Sequence, residues 1–142
     1  MTDRTIDWID GEIRLIDQTR LPDQLIVLRI GDLDGLIDAI VRLAVRGAPA
    51  LGVAGAMGVA LLATHHPGDD ALVREGAARL RAARPTAVNL AWGVDRALAR
   101  LAEGPSAVLA AALEVRDEDI AACAAMANRG ADIVRELVAR PR

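Results

Sequence analysis

The chain has 142 residues, 53% of them apolar and 26% charged, which suits one folded domain and excludes a disordered chain. Its only aromatic residues are Trp8 and Trp92, and its net charge is −3. Neither the aromatic platforms nor the positive surface of a nucleic-acid-binding protein is therefore expected. All 17 basic residues are arginine, which excludes chemistry that needs a lysine amine.

Cysteine content and apolar runs predict the compartment. Cys123 is the only cysteine, so an internal disulfide is excluded. The first ten residues, MTDRTIDWID, lack the basic and apolar segments of a secretory signal. The most apolar run covers residues 48–63, about 24 Å as a helix, against the roughly 30 Å apolar core of a bilayer. We therefore expect a cytoplasmic protein without a membrane partner, in which this run is a buried helix.

Alanine is distributed unevenly, which predicts the fold class. The first 38 residues contain no alanine, whereas the remaining 104 contain 29. We expect an α+β fold that is mostly helical, with a small antiparallel sheet over residues 1–31 followed by a helical bundle over residues 32–142. Together these two parts are predicted to form one domain.

Turn signals place three strands in the first part. Residues 6–9 and 12–16 flank Asp10-Gly11, the strongest short signal for a hairpin. A turn at Leu21-Pro22 follows, and residues 25–30, rich in branched side chains, are predicted as the third strand. Helices must cover one face of this sheet.

Apolar residues at helical spacing predict the helices of the second part. Asp32 or its neighbour is the predicted N-cap of the first helix, and Thr86 that of the fourth. The last helix is either one long helix or two with a kink near Arg116. The predicted helices cover residues 32–46, 49–66, 70–83, 87–101 and 106–139.

Residues 45–52 (VRGAPALG) are the first candidate site. Arg46 and Gly47 come directly before a helix start with Pro49 in its first turn. Free amides at a helix start and a neighbouring arginine favour an anion, and a glycine lets a phosphate approach the backbone. The simpler interpretation, which the residues favour equally, is that Gly47 ends the preceding helix in a left-handed conformation.

Residues 84–92 (RPTAVNLAW) are the second candidate site, because Arg84 again stands at a helix start. Asn89 interrupts an otherwise apolar helix face. On these residues alone, a solvated surface position is expected for Arg84 in preference to a ligand-binding one. A lone asparagine such as Asn89 more often bonds to the backbone than to a ligand.

The other residues that could carry chemistry are expected to have structural roles only. Cys123 lies in an alanine-rich stripe and is predicted to be a core residue. His65-His66 is predicted to contact solvent or the helix dipole, without metal or catalytic use. The glycines at 52, 55 and 58 are predicted to pack helices closely, because their spacing is wrong for a dinucleotide loop. The acidic group at residues 117–119 is predicted to be a solvated cap.

Residues 46–50 (RGAPA) and 84–90 (RPTAVNL) together resemble methylthioribose-1-phosphate isomerase. The resemblance extends from Asp17-Gln18-Thr19 to residues 118–122. It implies the N-terminal domain of an isomerase that converts 5-methylthioribose 1-phosphate into 5-methylthioribulose 1-phosphate in methionine salvage, with no metal or other cofactor.

The resemblance also implies residue roles. Arg46, Gly47 and Ala48 match the family's phosphate-binding loop, and Arg84 matches its second binding arginine. The family's catalytic cysteine and aspartate belong to a Rossmann-like second domain, which is expected to be missing from this chain. Cys123 lacks the Thr-x-Cys-Asn context of the family's cysteine, so no catalytic residue is assigned.

Half of a site should bind a sugar phosphate weakly. Two charged hydrogen bonds contribute about 1.5–3 kcal/mol each, whereas association costs roughly 4–15 kcal/mol. The chain alone is therefore expected to be inactive. A homodimer is an option for the full-length enzyme.

Three alternatives stay open at this point. The regulatory subunits of the exchange factor for translation initiation factor 2 resemble the isomerase in architecture but bind partners instead of isomerising sugars. Related ribose-phosphate isomerases are closer competitors, because the phosphate loop does not read the group on carbon 5. The third is a helical interaction module without a ligand.

Overall fold

The predicted hairpin and third strand form one antiparallel sheet in the computed structural model, which describes residues 4–139. The strands β1 (Ile6–Ile9), β2 (Glu12–Ile16) and β3 (Val27–Ile30) pair in the order β1-β2-β3. Asp10 and Gly11 have φ values of 55° and 80°, as a two-residue hairpin turn requires.

The third strand starts two residues later than predicted, at position 27. The Gln24 amide still closes the preceding turn by donating to the Arg20 carbonyl at 2.9 Å. Leu25, predicted as the first strand residue, lies between this turn and β3 and is 57% exposed.

Five helices follow the sheet within residues 4–139, so the mostly helical α+β class is confirmed. The last is one continuous helix of 35 residues, which decides between the two predicted forms. A short 3₁₀ turn (Leu101–Glu103) precedes it. The helices are α1 (Leu33–Val41), α2 (Ala48–His65), α3 (Asp70–Ala82), α4 (Val88–Leu98) and α5 (Pro105–Ala139).

The end of α1 differs from the prediction, because the helix stops at Val41 and not near residue 46. Leu43 adopts a left-handed φ of 66°, and the Ala44 amide donates to the Ala39 carbonyl at 2.8 Å. A left-handed residue with such a bond is a common way to end a helix. The residue that terminates α1 is therefore Leu43, and the interpretation of Gly47 as its terminator is wrong.

Helix α2 is the centre of the core, and every residue from 51 to 63 is buried. A Cβ atom added to Gly55 would lie 2.6 Å from the Leu90 carbonyl oxygen of α4. One added to Gly93 of α4 would overlap the Gly52 carbonyl group. The prediction that the α2 glycines pack helices closely is confirmed. By length and composition α2 could cross a membrane, yet 72% of its 18-residue window lies inside this fold.

Helix α5 leaves the helical bundle after Val115, its last buried residue. Between residues 120 and 139 every residue is exposed except Ala131, which is half-buried. Cys123 lies in this part and is exposed, so its prediction as a core residue is wrong. Its thiol donates to the Asp119 carboxylate at 3.9 Å.

The acidic group at residues 117–119 also lies inside α5 and does not cap a helix start, contrary to prediction. Asp117 accepts a hydrogen bond from Arg116 at 2.8 Å, and Glu118 accepts two from Arg96. These guanidinium groups lower the pKa of both carboxyl groups. Each carboxylate is therefore part of an ion pair.

We predict that Gly93→Ala destabilises the protein, because the new Cβ would lie 2.7 Å from the Gly52 carbonyl carbon. The backbone of α2 or α4 would have to move to relieve this overlap. The expected loss in free energy of unfolding is about 3 kcal/mol, measured by urea denaturation. Gly130→Ala on the exposed part of α5 is the control, since nothing lies within 4 Å of its Cβ. A Gly93→Ala variant as stable as the parent would contradict the packing argument.

Candidate functional site

The starts of α2 and α4 border one cleft of about 380 Å³. The glycine contact between Gly52 and Gly93 lets the two helices approach within backbone contact, so their first turns are neighbours. The cleft is lined by Gly47, Ala48, Leu51, Arg84, Thr86, Ala87, Val88 and Asn89.

Gly47 shapes the α2 side of this cleft. It is the N-cap of α2 with φ 94°, and its carbonyl accepts the first helical bond from Leu51 at 3.1 Å. No side chain caps the helix, and no acidic residue lies in its first turn. The first amides of a helix have no partner inside the helix and carry the positive end of its dipole. This edge of the cleft therefore favours an anion.

The α4 side of the cleft is built by the turn at residues 84–87. The Ala87 amide donates to the Arg84 carbonyl at 2.9 Å, and Ala87 is the N-cap of α4. Thr86, the predicted cap, makes no capping bond, so that prediction is wrong. A second helix start without a side-chain cap therefore borders the cleft.

Two polar side chains of this turn and helix have no partner within residues 4–139. Arg84 is half-buried, and its guanidinium group makes no ion pair or hydrogen bond there. Asn89 is also half-buried and its side chain makes no backbone bond, contrary to expectation. Both side chains line the cleft and keep their donors available to a ligand.

Arg46 does not line the cleft, unlike the other three predicted residues Gly47, Ala48 and Arg84. Its side chain is exposed, and its Nε donates to the Leu43 carbonyl at 3.2 Å. The structure therefore brings together the α2 amides and Arg84, with the Arg46 guanidinium group held toward the end of α1.

Asp17 is a buried carboxylate that bonds to the segment between α1 and α2. The sequence did not single it out as a site residue. Its carboxylate accepts bonds from the Thr19 amide at 3.0 Å, the Thr19 hydroxyl at 2.6 Å and the Arg42 guanidinium at 2.8 Å. The Thr19 hydroxyl and Arg42 lower the pKa of Asp17 from 3.8 to about 2. The only sequence signal for it was its presence in the resemblance.

The histidines lie away from the cleft, at the end of α2. His65 is exposed and His66 half-buried. Within the described part of the chain, no group of three His, Cys, Asp or Glu side chains is arranged to hold a metal ion.

Residues 44–138 match the Initiation factor 2 subunit family. The chain belongs to this family. A relative from Nocardia farcinica, named probable bifunctional methylthioribose-1-phosphate isomerase/methylthioribulose-1-phosphate dehydratase, is 48% identical over 139 residues, which are 95% of this chain and 25% of the relative. A methylthioribose-1-phosphate isomerase from Anaeromyxobacter sp. is 47% identical over 86% of this chain and 36% of its own. These relatives confirm the resemblance to methylthioribose-1-phosphate isomerase.

The chain is also similar to an isomerase with a different substrate name and to two solved structures. A 5-deoxyribose 1-phosphate isomerase from Moorella thermoacetica is 41% identical over 92% of this chain and 41% of its own. The crystal structure of translation initiation factor eIF-2B, subunit delta, from A. fulgidus aligns with a TM-score of 0.79 and 41% identity, over 84% of this chain and 38% of that one. The crystal structure of 5-methylthioribose 1-phosphate isomerase from Pyrococcus horikoshii aligns with a TM-score of 0.73 and 28% identity, over 82% of this chain and 36% of that one. The chain spans between 25% and 41% of the length of the three relatives.

We predict that Asp17→Asn flattens the dependence of stability on acid pH. A carboxyl group whose pKa is lower in the folded state stabilises the fold above its unfolded pKa and loses that contribution as the pH falls through the folded value. For Asp17 this loss lies between pH 3.8 and about 2. Urea midpoints of parent and variant across that range measure it.

Asp38→Asn is the control, because Asp38 is an exposed carboxylate on the same arginine, Arg42. The Asp17→Asn curve is expected to fall less steeply than both others. Parallel curves for parent and Asp17→Asn would show that the buried carboxylate has no such role.

Proposed function

We propose that this chain forms the sugar-phosphate-binding part of an aldose–ketose isomerase that converts 5-methylthioribose 1-phosphate into 5-methylthioribulose 1-phosphate in methionine salvage. The observation that carries the proposal is the shared cleft of Gly47, Ala48 and Arg84. The names of the most similar relatives supply the substrate.

A phosphate group suits the chemistry of this cleft. Unpaired amides at a helix start bind phosphate oxygens, and the glycine at the N-cap leaves room for close approach. The Arg84 guanidinium can add two parallel hydrogen bonds to the same group. The first turns of α2 and α4 contain no acidic residue that would repel it.

Arg46 belongs to the proposed site as a contact that forms on binding. Its guanidinium group must leave the Leu43 carbonyl, which costs one exposed hydrogen bond. A phosphate dianion near Gly47 would attract it more strongly than a neutral carbonyl does.

The cleft suits a phosphate but offers no group that could move a proton. Isomerisation transfers a proton between carbons 1 and 2, which requires a general base within hydrogen-bond reach. Among residues 4–139, Arg84 is the only ionisable residue that lines the cleft, and arginine stays protonated. We therefore propose that the chain alone binds the sugar phosphate without turnover, and that a longer protein supplies the base.

We propose that the protein is cytoplasmic and that its partner is a small molecule. A sugar phosphate is the expected ligand, and neither nucleic acid nor a membrane is proposed as a partner. A homodimer remains an option for a full-length enzyme.

The Moorella relative favours a second candidate function, the isomerisation of a ribose 1-phosphate with another group on carbon 5. The phosphate contacts would be the same, because they do not reach carbon 5. Comparing methylthio-, deoxy- and phospho-substituted ribose 1-phosphates as substrates separates the two candidates. The A. fulgidus structure is named as a translation initiation factor subunit, which is a third role. Binding of phosphate in the cleft would not support that role for this chain.

We predict that inorganic phosphate shifts the amide resonances of Gly47 and Ala48 in an NMR titration of this chain. Arg84→Ala should raise the Kd for phosphate by about tenfold or more, since a hydrogen bond to a charged group contributes about 1.5–3 kcal/mol. Arg74→Ala, which removes an exposed arginine of α3 outside the cleft, is the matched control. Unshifted Gly47 and Ala48 resonances would favour the interaction module without a ligand.

The substrate is tested in a chimera, in which this chain replaces the matching segment of the Anaeromyxobacter isomerase. We expect the chimera to isomerise 5-methylthioribose 1-phosphate, and Arg84→Ala to lower its kcat/KM by about tenfold or more because a charged contact to the phosphate is lost. Arg74→Ala should leave kcat/KM unchanged.

The isolated chain is the second arm of this experiment, and no turnover is expected from it. Turnover by the isolated chain that disappears on Arg46→Ala would overturn the proposed division of labour. An active chimera that is indifferent to Arg84→Ala would remove Arg84 from the site.

A further inference from the structure

The connection between α1 and α2, residues 42–47, holds an unusual conformation. Leu43 has a φ of 66° although it carries a side chain, and Gly47 has a φ of 94°. L-residues adopt the left-handed region only when their surroundings enforce it. Contacts that hold the connection on this path therefore affect where the start of α2 lies.

The end of β2 supplies such contacts. The buried Asp17 carboxylate accepts a hydrogen bond from Arg42, the first residue of the connection, at 2.8 Å. The next amide, that of Gln18, donates to the Ala44 carbonyl at 3.1 Å. These two bonds, one on each side of Leu43, tie the connection to the sheet.

The Asp17 carboxylate is itself held in place. Its side chain is 5% exposed, and Thr19 donates both its amide and its hydroxyl to one carboxylate oxygen. The other oxygen is left for Arg42. The carboxylate therefore has one orientation, in which it faces the connection.

We infer that Asp17 is a positioning residue for the cleft: through Arg42, and beside the Gln18–Ala44 bond, it fixes where the Gly47 and Ala48 amides lie relative to Arg84. This inference rests on the proposed function in that it names phosphate binding as the property affected. Asp17 does not line the cleft, so it acts only through the connection.

The second carboxylate on Arg42 offers a matched comparison. Asp38 accepts a bond from Arg42 Nε at 2.9 Å, but it is 70% exposed and belongs to α1 itself. Removing it leaves the Asp17–Arg42 bond and the tie to the sheet in place. Asp17→Asn and Asp38→Asn thus delete the same charge from the same arginine. Only the first weakens the side-chain bond between the connection and the end of β2, while the Gln18–Ala44 bond remains in both variants.

The test compares the parent chain, Asp17→Asn and Asp38→Asn by amide NMR at a temperature where circular dichroism shows all three folded. In the absence of ligand, Asp17→Asn is expected to shift the Gly47 and Ala48 resonances, with smaller effects at Leu98 on the far end of α4. Titration with inorganic phosphate should give a Kd raised about fivefold or more by Asp17→Asn and unchanged by Asp38→Asn.

Each outcome decides the inference. A folded Asp17→Asn variant with parent-like Gly47 and Ala48 resonances and a parent-like phosphate Kd overturns it. If the parent binds no phosphate, the proposed function fails, and the ligand-free resonances alone decide the positioning role. If Asp17→Asn does not fold, Thr19→Val, which removes one hydrogen bond from the carboxylate, must shift the same two resonances or the inference is wrong.

Discussion

The backbone contact between α2 and α4 is the constraint on which the candidate site depends. A side chain at position 93 would overlap the Gly52 carbonyl group, so this crossing requires glycine. Because the contact lies close to the start of both helices, it also sets the distance between their first turns. The cleft with Gly47 on one side and Arg84 on the other is therefore a consequence of core packing, and any change at the crossing changes the site.

The sheet contributes the second constraint, although none of its residues lines the cleft. Asp17 and Gln18 at the end of β2 bond to Arg42 and Ala44, which lead directly into α2. One wall of the cleft thus depends on helix packing and the other on a tie from the sheet. An anion site gains from such rigidity, because donors that are already in place need no ordering when the ligand arrives.

Local patterns determined most of the fold, and tertiary contacts determined what sequence reasoning missed. The Asp10-Gly11 turn and the helical periods were readable because they depend on neighbours in sequence. The end of α1 was not, since the left-handed residue that terminates it is Leu43, whereas the sequence offered only Gly47 for that role. Cys123 looked like a core residue because its stripe of alanines is apolar, but it lies in the part of α5 where nearly every residue is exposed. The helix starts near Gly47 and Arg84 were predictable from the sequence, and the binding role of these residues stays a prediction. The direction of the Arg46 side chain was not predictable, because it depends on the Leu43 carbonyl.

The openness of the cleft explains why the arrangement suits a part of a larger site. Hydrogen bonds and charges act weakly where water and salt reach them, and more strongly once water is excluded. Gly47, Ala48 and Val88 are all exposed, so a phosphate held there keeps much of its hydration. Covering the cleft would strengthen the same contacts without changing them, and in the proposed isomerase the covering part would supply the general base that these residues lack. Relatives more than twice as long as this chain have the additional length to do both.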